Sequence, residues 1–152
     1  MPVFMTPAGL QLLKTWEGCL LYAYPDPASG GDPWTIGYGH TGPEVHAGLV
    51  ITQQQADAWL LSDAAVAARA IDRLMGDVAM SPRQRDALIS FCFNVGVGAV
   101  EGSTLRRRLL AGEQVGKVLA EELPRWCHGP QGPMEGLRRR RAAEVRHGLL
   151  PE

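Results

Sequence analysis

Long apolar runs are missing from this chain of 152 residues, and so is a basic leader. No stretch approaches the roughly 18–20 consecutive apolar residues that a membrane span requires. Met1 to Leu13 carry no basic cluster and are broken by Pro2, Pro7 and Gly9, which argues against a secretory signal. The expectation is a soluble chain made in the cytoplasm, without stable membrane insertion. Any target beyond the inner membrane would be reached only after release by another agent. Cysteine is also scarce: Cys19, Cys92 and Cys127 are the three present, with no Cys-x-x-Cys spacing. Metal-type pairing is thereby disfavoured, and partly buried reduced thiols are expected. Neither a metal nor another cofactor is expected. Internal repeats and low-complexity linkers are absent as well. With 45% apolar and 20% charged residues, the composition excludes a disordered or fibrous chain. The length suits one domain, 1–152, with a core large enough to offset chain entropy.

The net charge of −1 conceals an uneven distribution. Residues 1–76 hold three basic side chains (Lys14, Arg69 and Arg73) against seven acidic ones, and the other twelve Lys/Arg lie beyond Gly76. Such asymmetry suggests an acidic half and a basic half that face different things.

Thr6-Pro7 reads as an N-cap followed by proline in the first helical turn, and Gly18 as the stop. Glu17 therefore lies at the C-terminal end of a first helix, where the negative end of the helix dipole disfavours a carboxylate's charge. Leu20 to Tyr24 is a short strand, Pro25 to Pro33 a loop, and Trp34 to Tyr38 a second strand, so residues 20–51 form a small β lobe. Gly37, Gly39 and Gly42 imply tight turns and close approach of another group to the backbone. Thr52 opens a helix that runs to Met75, and Ser81-Pro82-Arg83-Gln84 is a capping box ahead of an apolar central helix. Further helices are expected from Ser103 to near Gly112 and from Gln114 to Leu123. Gly129 to Pro133 reads as loop and Glu135 to Leu149 as the last helix. This pattern predicts an α+β fold: a small β-hairpin lobe, 20–51, packed on a larger helical lobe, 52–150 plus the first helix, with a cleft between them.

Glu17 and Asp26 are carboxylates on either side of the first strand. Two such groups can cut a glycosidic bond, one protonating the leaving oxygen and the other activating water. Spacing alone would equally suit two surface charges. The surrounding residues are more specific. Glu17-Gly18, Leu21-Tyr22-Ala23-Tyr24, Asp26 and Thr35-Ile36-Gly37-Tyr38-Gly39-His40 together resemble the phage lysozymes, the endolysins of glycoside hydrolase family 24. Ser81-Pro82 with Asp86-Ala87-Leu88, Phe91-x-Phe93-Asn94-Val95-Gly96, Ser103-Thr104-Leu105, Trp126 and Gly136-Leu137 with Arg140-Arg141 continue the likeness in order. It covers about Leu10 to Leu149.

The resemblance implies a lysozyme-like fold and an N-acetylmuramidase that lyses the bacterial host. Its partner would be the glycan strand of peptidoglycan, cut at the β-1,4 bond between N-acetylmuramic acid and N-acetylglucosamine. Glu17 matches the general acid, Asp26 the carboxylate that positions or deprotonates water, and Thr35 the threonine that helps hold that water. Inversion at the anomeric carbon follows, with the two carboxyls about 6.5–9.5 Å apart. One departure is the stretch from Pro27 to Trp34, longer than in many members, which leaves Asp32 as a fallback for Asp26. A monomer without nucleic-acid partners is expected, since no recognised motif accompanies the arginine runs. Alternatives are a lytic transglycosylase, disfavoured by Asp26 and Thr35, and a wall-binding or membrane-active protein that performs no catalysis.

Other residues carry weaker expectations. His40 lacks a second histidine at ligand spacing and reads as a residue holding the hairpin against a helix. Phe93 and Asn94 suit a sugar face and an N-acetyl group, with Phe93 as a plain core residue the even alternative. Arg138 to Arg141 wrap most of the last helix at about 100° per residue. Taking Ala142, Val145 and Leu149 as the buried stripe places Arg138 and Arg141 inward and makes one of them a partner for Glu17. Arg139 and Arg140 would then face solvent. Arg106, Arg107 and Arg108 add to a basic half that could steer the protein to an anionic wall.

Overall fold

A computed structural model describes residues 4–151, and the α+β architecture expected from the sequence is the one it shows. Helix α1 spans Pro7–Glu17 and is capped by Thr6, whose hydroxyl accepts the Gly9 N–H. Strands β1 (Leu20–Tyr24), β2 (Thr35–Gly37) and β3 (His40–Thr41) make an antiparallel sheet in that order. Helix α2 (Gln53–Met75) carries that small lobe onto the helical one. Its N-cap is Thr52, which accepts the Gln55 N–H, and six of its ten buried residues are alanines.

Central to the helical lobe is α3 (Pro82–Val95), opened by the reciprocal Ser81–Gln84 capping box. Ala87, Leu88, Ile89, Phe91 and Cys92 are all buried on it, so an apolar face wider than one helical stripe is covered on several sides. Against α3 pack α1, α2, α4 (Val97–Glu101) and α7 (Glu135–Leu149), while α5 (Thr104–Leu110) lies on α2, α4 and α6 (Val115–Glu122), and α6 leads through a 3-10 turn at Leu123–Arg125 onto α7. The three cysteines are free thiols. Among the described residues no helix is long and apolar enough to cross a membrane.

Three local expectations need correction. Helix α4 was not foreseen; one turn flanked by Gly96 and Gly102 offers no readable periodicity. Residues 129–133, expected as loop, belong to a short hairpin of β4 (His128–Gly129) and β5 (Gly132–Pro133), which turns at Pro130-Gln131 and enters β5 through Gly132 at φ +105°.

The third correction concerns α7. Its buried face is Arg140, Arg141, Glu144, His147 and Gly148, while Ala142 and Leu149 are exposed and Val145 is only partly buried. The buried stripe is charged, not apolar. Arginines enter because Glu144 and Glu17 enter with them, and an ion pair can lie where a lone charge cannot.

Candidate active site

Helix α1 delivers Glu17 to the space between the lobes. Gly9 and Leu13 are its buried residues, and Glu17 follows Leu13 by one turn on the same face. Gly9 permits close packing, since a Cβ there would sit 2.4 Å from Asp86 Cγ of α3. Asp86 also accepts from the Thr6 backbone N–H and hydroxyl and lies 2.8 Å from His147 Nε2 of α7. The start of α1 is therefore pinned to both helices against which its end must aim a carboxylate.

Glu17 is half-buried and meets two elements distant in sequence. Arg140 Nη1 donates to its Oε1 at 2.6 Å. Across the gap, a Cβ on Gly39 would lie 3.3 Å from Glu17 Oε2, so Glu17 is the group that approaches Gly39, whereas Gly37 faces Ala56 and Gly42 faces Glu44. Gly39 has φ +81°, where glycine carries no steric penalty. Tyr24 is also near: burial, then the Glu17 charge, push its phenol pKa up.

The expected arginine assignment is thus overturned. Neither Arg138 nor Arg141 binds Glu17. Arg138 is exposed and, like Arg139, pairs with Glu135. Arg141 is fully buried, with Nε 3.0 Å from Glu144 Oε1, Nη2 donating to Asn94 Oδ1 at 2.6 Å and its guanidinium 5.1 Å from the Phe91 ring centroid. Arg140, placed outward by the apolar-stripe argument, is the inward one. A readable signal was present: Arg140-Arg141-x-x-Glu144 sets opposite charges three and four residues apart on one helical face.

The remaining site residues cluster at one end of the sheet. Thr35 pairs with Tyr24 across the β1–β2 ladder, so Asp26, two residues beyond Tyr24, leaves the sheet at the end where Thr35 enters it. The longer stretch after Asp26 closes on itself. Asp26 N donates to Gly31 O and Gly30 N to Asp26 O, Ser29 N donates to Asp26 Oδ2 at 3.1 Å, and Ser29 Oγ donates to Asp32 O. The added residues form a compact turn, with Asp26 at its base and Asp32 exposed. Thr35 Oγ1 makes only a long contact, 3.5 Å, to Pro33 O.

Beside Gly39 lies a depression of ≈ 280 Å³ lined by Gly39, Thr41, Asp63, Cys92, Phe93 and Gly96 among others. Phe93 is partly buried against the core there. Asn94 is exposed and commits its carbonyl to Arg141, leaving its amide N–H groups for another partner. A larger cavity of ≈ 530 Å³ between the end of α2 and α5–α6 contains none of these residues. His40 behaves as expected: its ring nitrogens lie 2.7 Å from Asp63 of α2 and 2.5 Å from Glu44, and it stacks on Trp59 with centroids 4.3 Å apart. Burial pulls the imidazole pKa down, but the two carboxylates outweigh it and leave it raised.

The arginines of residues 106–108 are engaged within the fold, and one of them is neutralised there. Arg108 binds Glu113, Glu121 and Glu122 together, Arg106 donates to the Leu74 and Glu101 carbonyls, and Arg107 donates to the Thr104 hydroxyl.

Residues 14–144 match the family model described as phage lysozyme. The endolysin of Acyrthosiphon pisum secondary endosymbiont phage 1 is 38% identical over 140 residues, covering 90% of this chain and 91% of the relative. The endolysin of Bacillus phage PZA is 36% identical over 140 residues, 92% of this chain, which spans about half, 53%, of that longer relative. Among solved structures, the muramidase domain of SpmX from Asticaccaulis excentricus is 32% identical and superposes with a TM-score of 0.84, covering 97% of this chain and 98% of that one. The fold is lysozyme-like, and the chain belongs to the phage lysozyme family of lysozyme-type glycoside hydrolases.

Proposed function

We propose that this chain is an N-acetylmuramidase that hydrolyses the β-1,4 bond between N-acetylmuramic acid and N-acetylglucosamine in bacterial peptidoglycan and so lyses the host cell. The whole chain is read as one catalytic domain, made in the cytoplasm and reaching the wall after release. The observation carrying the proposal is Glu17 itself: a half-buried carboxylate at a helix end, held from one side by Arg140 and facing the Gly39 backbone of the hairpin from the other.

Glu17 protonates the leaving oxygen of the bond. Asp26, at the base of its compact turn, directs a water at the anomeric carbon and takes up its proton. Thr35, at the same end of the sheet and free of a short hydrogen bond, helps hold that water. Attack opposite the leaving group inverts the anomeric carbon. Phe93 supplies an apolar edge for a sugar face and Asn94 an amide for an N-acetyl group. No step calls for a metal or cofactor.

Product analysis on purified peptidoglycan tests the reading. Hydrolysis yields free reducing muramic ends, and a transglycosylase yields anhydro sugars one water lighter. Glu17→Gln should bind sacculi without cutting them; a Glu17→Gln protein that still lyses cells would place the activity on the membrane and not the glycan.

A further inference from the structure

Arg140 serves two carboxylates. Its Nη1 donates to Glu17 Oε1 at 2.6 Å, its Nε to Glu144 Oε2 at 3.3 Å, and its Nη2 to the Ser90 carbonyl and hydroxyl at 3.3 and 3.4 Å. Every guanidinium nitrogen is thus placed. Ser90 Oγ in turn donates to Glu144 Oε2 at 2.6 Å. Glu144 is wholly buried and Arg140 nearly so. A buried carboxylate is costly unless it is paired, and here two arginines of its own helix enclose it.

From this arrangement we infer that Glu144 is a positioning residue for the reaction, acting on Glu17 through their shared arginine. The inference rests on Glu17 being the acid. Two consequences follow from the geometry. First, Glu144 and Ser90 fix the plane of the Arg140 fork, and that plane fixes where Nη1 presents itself to Glu17. A planar guanidinium held at Nε and Nη2 has no rotation left for Nη1.

Second, Glu144 supplies negative charge behind Arg140. With it present, Arg140 divides its charge between two carboxylates and does not bind Glu17 alone. Without it, Arg140 has only Glu17 to pair with. The charged and polar groups around Glu144 are few. Arg140 and Arg141 face it from α7 and Ser90 from α3, with Glu17 of α1 beyond Arg140. Glu122, on the α6 side of α7, is engaged by Arg108 and Arg125. Burial pushes the Glu144 carboxyl up against the pull of Arg141, Ser90 and Arg140, so its charge depends on both guanidiniums staying where they are.

Glu144→Gln is the test, with Glu144→Asp as the conservative variant and Glu17→Gln as control. Folding is checked by far-UV circular dichroism and thermal melting, and kcat and KM are measured on soluble glycan fragments from pH 4 to 8. Glu144→Gln should lower kcat at least tenfold with KM within about twofold, and should move the alkaline limb of the kcat profile to lower pH by on the order of one unit. Glu144→Asp should restore the limb. A folded Glu144→Gln protein with the parent kcat and the parent limb overturns the inference. If Glu144→Gln does not fold, Ser90→Ala carries the test: a severalfold loss in kcat at constant KM supports the inference, and an unchanged kcat and limb overturns it. Should Glu17→Gln remain active, the assignment of the acid fails instead; a dead Glu17→Gln beside a parent-like Glu144→Gln removes only the role of Glu144.

Discussion

Glu17 and Arg140 stand 123 positions apart in the chain and 2.6 Å apart in the fold. That ion pair joins the first helix to the last, so the catalytic carboxylate proposed here cannot be placed until both ends of the chain have docked. Removing Arg140 should therefore be felt twice. Arg140→Ala leaves Glu144 with one arginine fewer in a dry site and should cost about 3–5 kcal/mol of stability. It should also lower activity on glycan far more than any exposed arginine change. Arg140→Lys should rescue little, because one ammonium cannot reach Glu17, Glu144 and Ser90 at once. Urea unfolding and turbidity clearing measure the two effects; a Lys variant with parent stability and activity would contradict the account.

Asp26 and Asp32 give a direct comparison across the enlarged turn. Asp26→Ala should reduce kcat by about 10²–10⁴, the usual worth of a positioned acid or base. Asp32→Ala should stay within about twofold, since Asp32 is exposed and contributes its backbone carbonyl, which the mutant keeps, to the Ser29 hydroxyl. The reverse ranking in a steady-state assay would transfer the role to Asp32.

Gly39 is the third place to probe. An alanine there meets Glu17 Oε2 at 3.3 Å and must hold a φ of +81°. Gly39→Ala should destabilise by about 1–3 kcal/mol and depress kcat by moving the carboxylate. Gly48 also has positive φ but nothing near its Cβ position. Gly48→Ala should therefore share the stability loss and keep the activity. Equal loss of activity in both would mean that Gly39 matters only for the backbone.

His40 should give stability a pH dependence of known sign. Its pKa is raised on folding, so its contribution is complete below its unfolded value, 6.5, and fades as pH climbs through the higher folded value. The hydrogen bond to His40 lowers Glu44 on folding, so that contribution is present above 4.5 and fades as pH falls through the lower folded value. Between those limits both act together. His40→Gln should cost about 1–2 kcal/mol there, and the deficit should narrow in alkaline solution. Melting temperatures of both proteins from pH 4 to 9 check this; a deficit that widens with pH would contradict the ion-pair assignment.

Much of this fold could be read from local chemistry. Thr6, Thr52, Ser81 and Ser103 each cap the helix that their sequence announces, because a cap needs only the residues beside it. Glu17 was placed by the same means, as the residue before a terminating glycine. What escaped depends on partners far away. The inward face of α7 was sought as an apolar stripe, and it is instead a set of charges made acceptable by Ser90, Glu17 and each other. The helix viewed alone shows that Arg140 and Arg141 share a face with Glu144, but not which of the two reaches Glu17 on another helix. The hairpin at 128–133 and helix α4 were too short to leave a period.

Mass spectrometry of the products from purified peptidoglycan, with the parent chain and Glu17→Gln run side by side, tests the central claim most directly. The account predicts reducing muropeptides carrying one added water from the parent and intact glycan from Glu17→Gln. Anhydromuramic ends from the parent, or cleavage by Glu17→Gln, would contradict it.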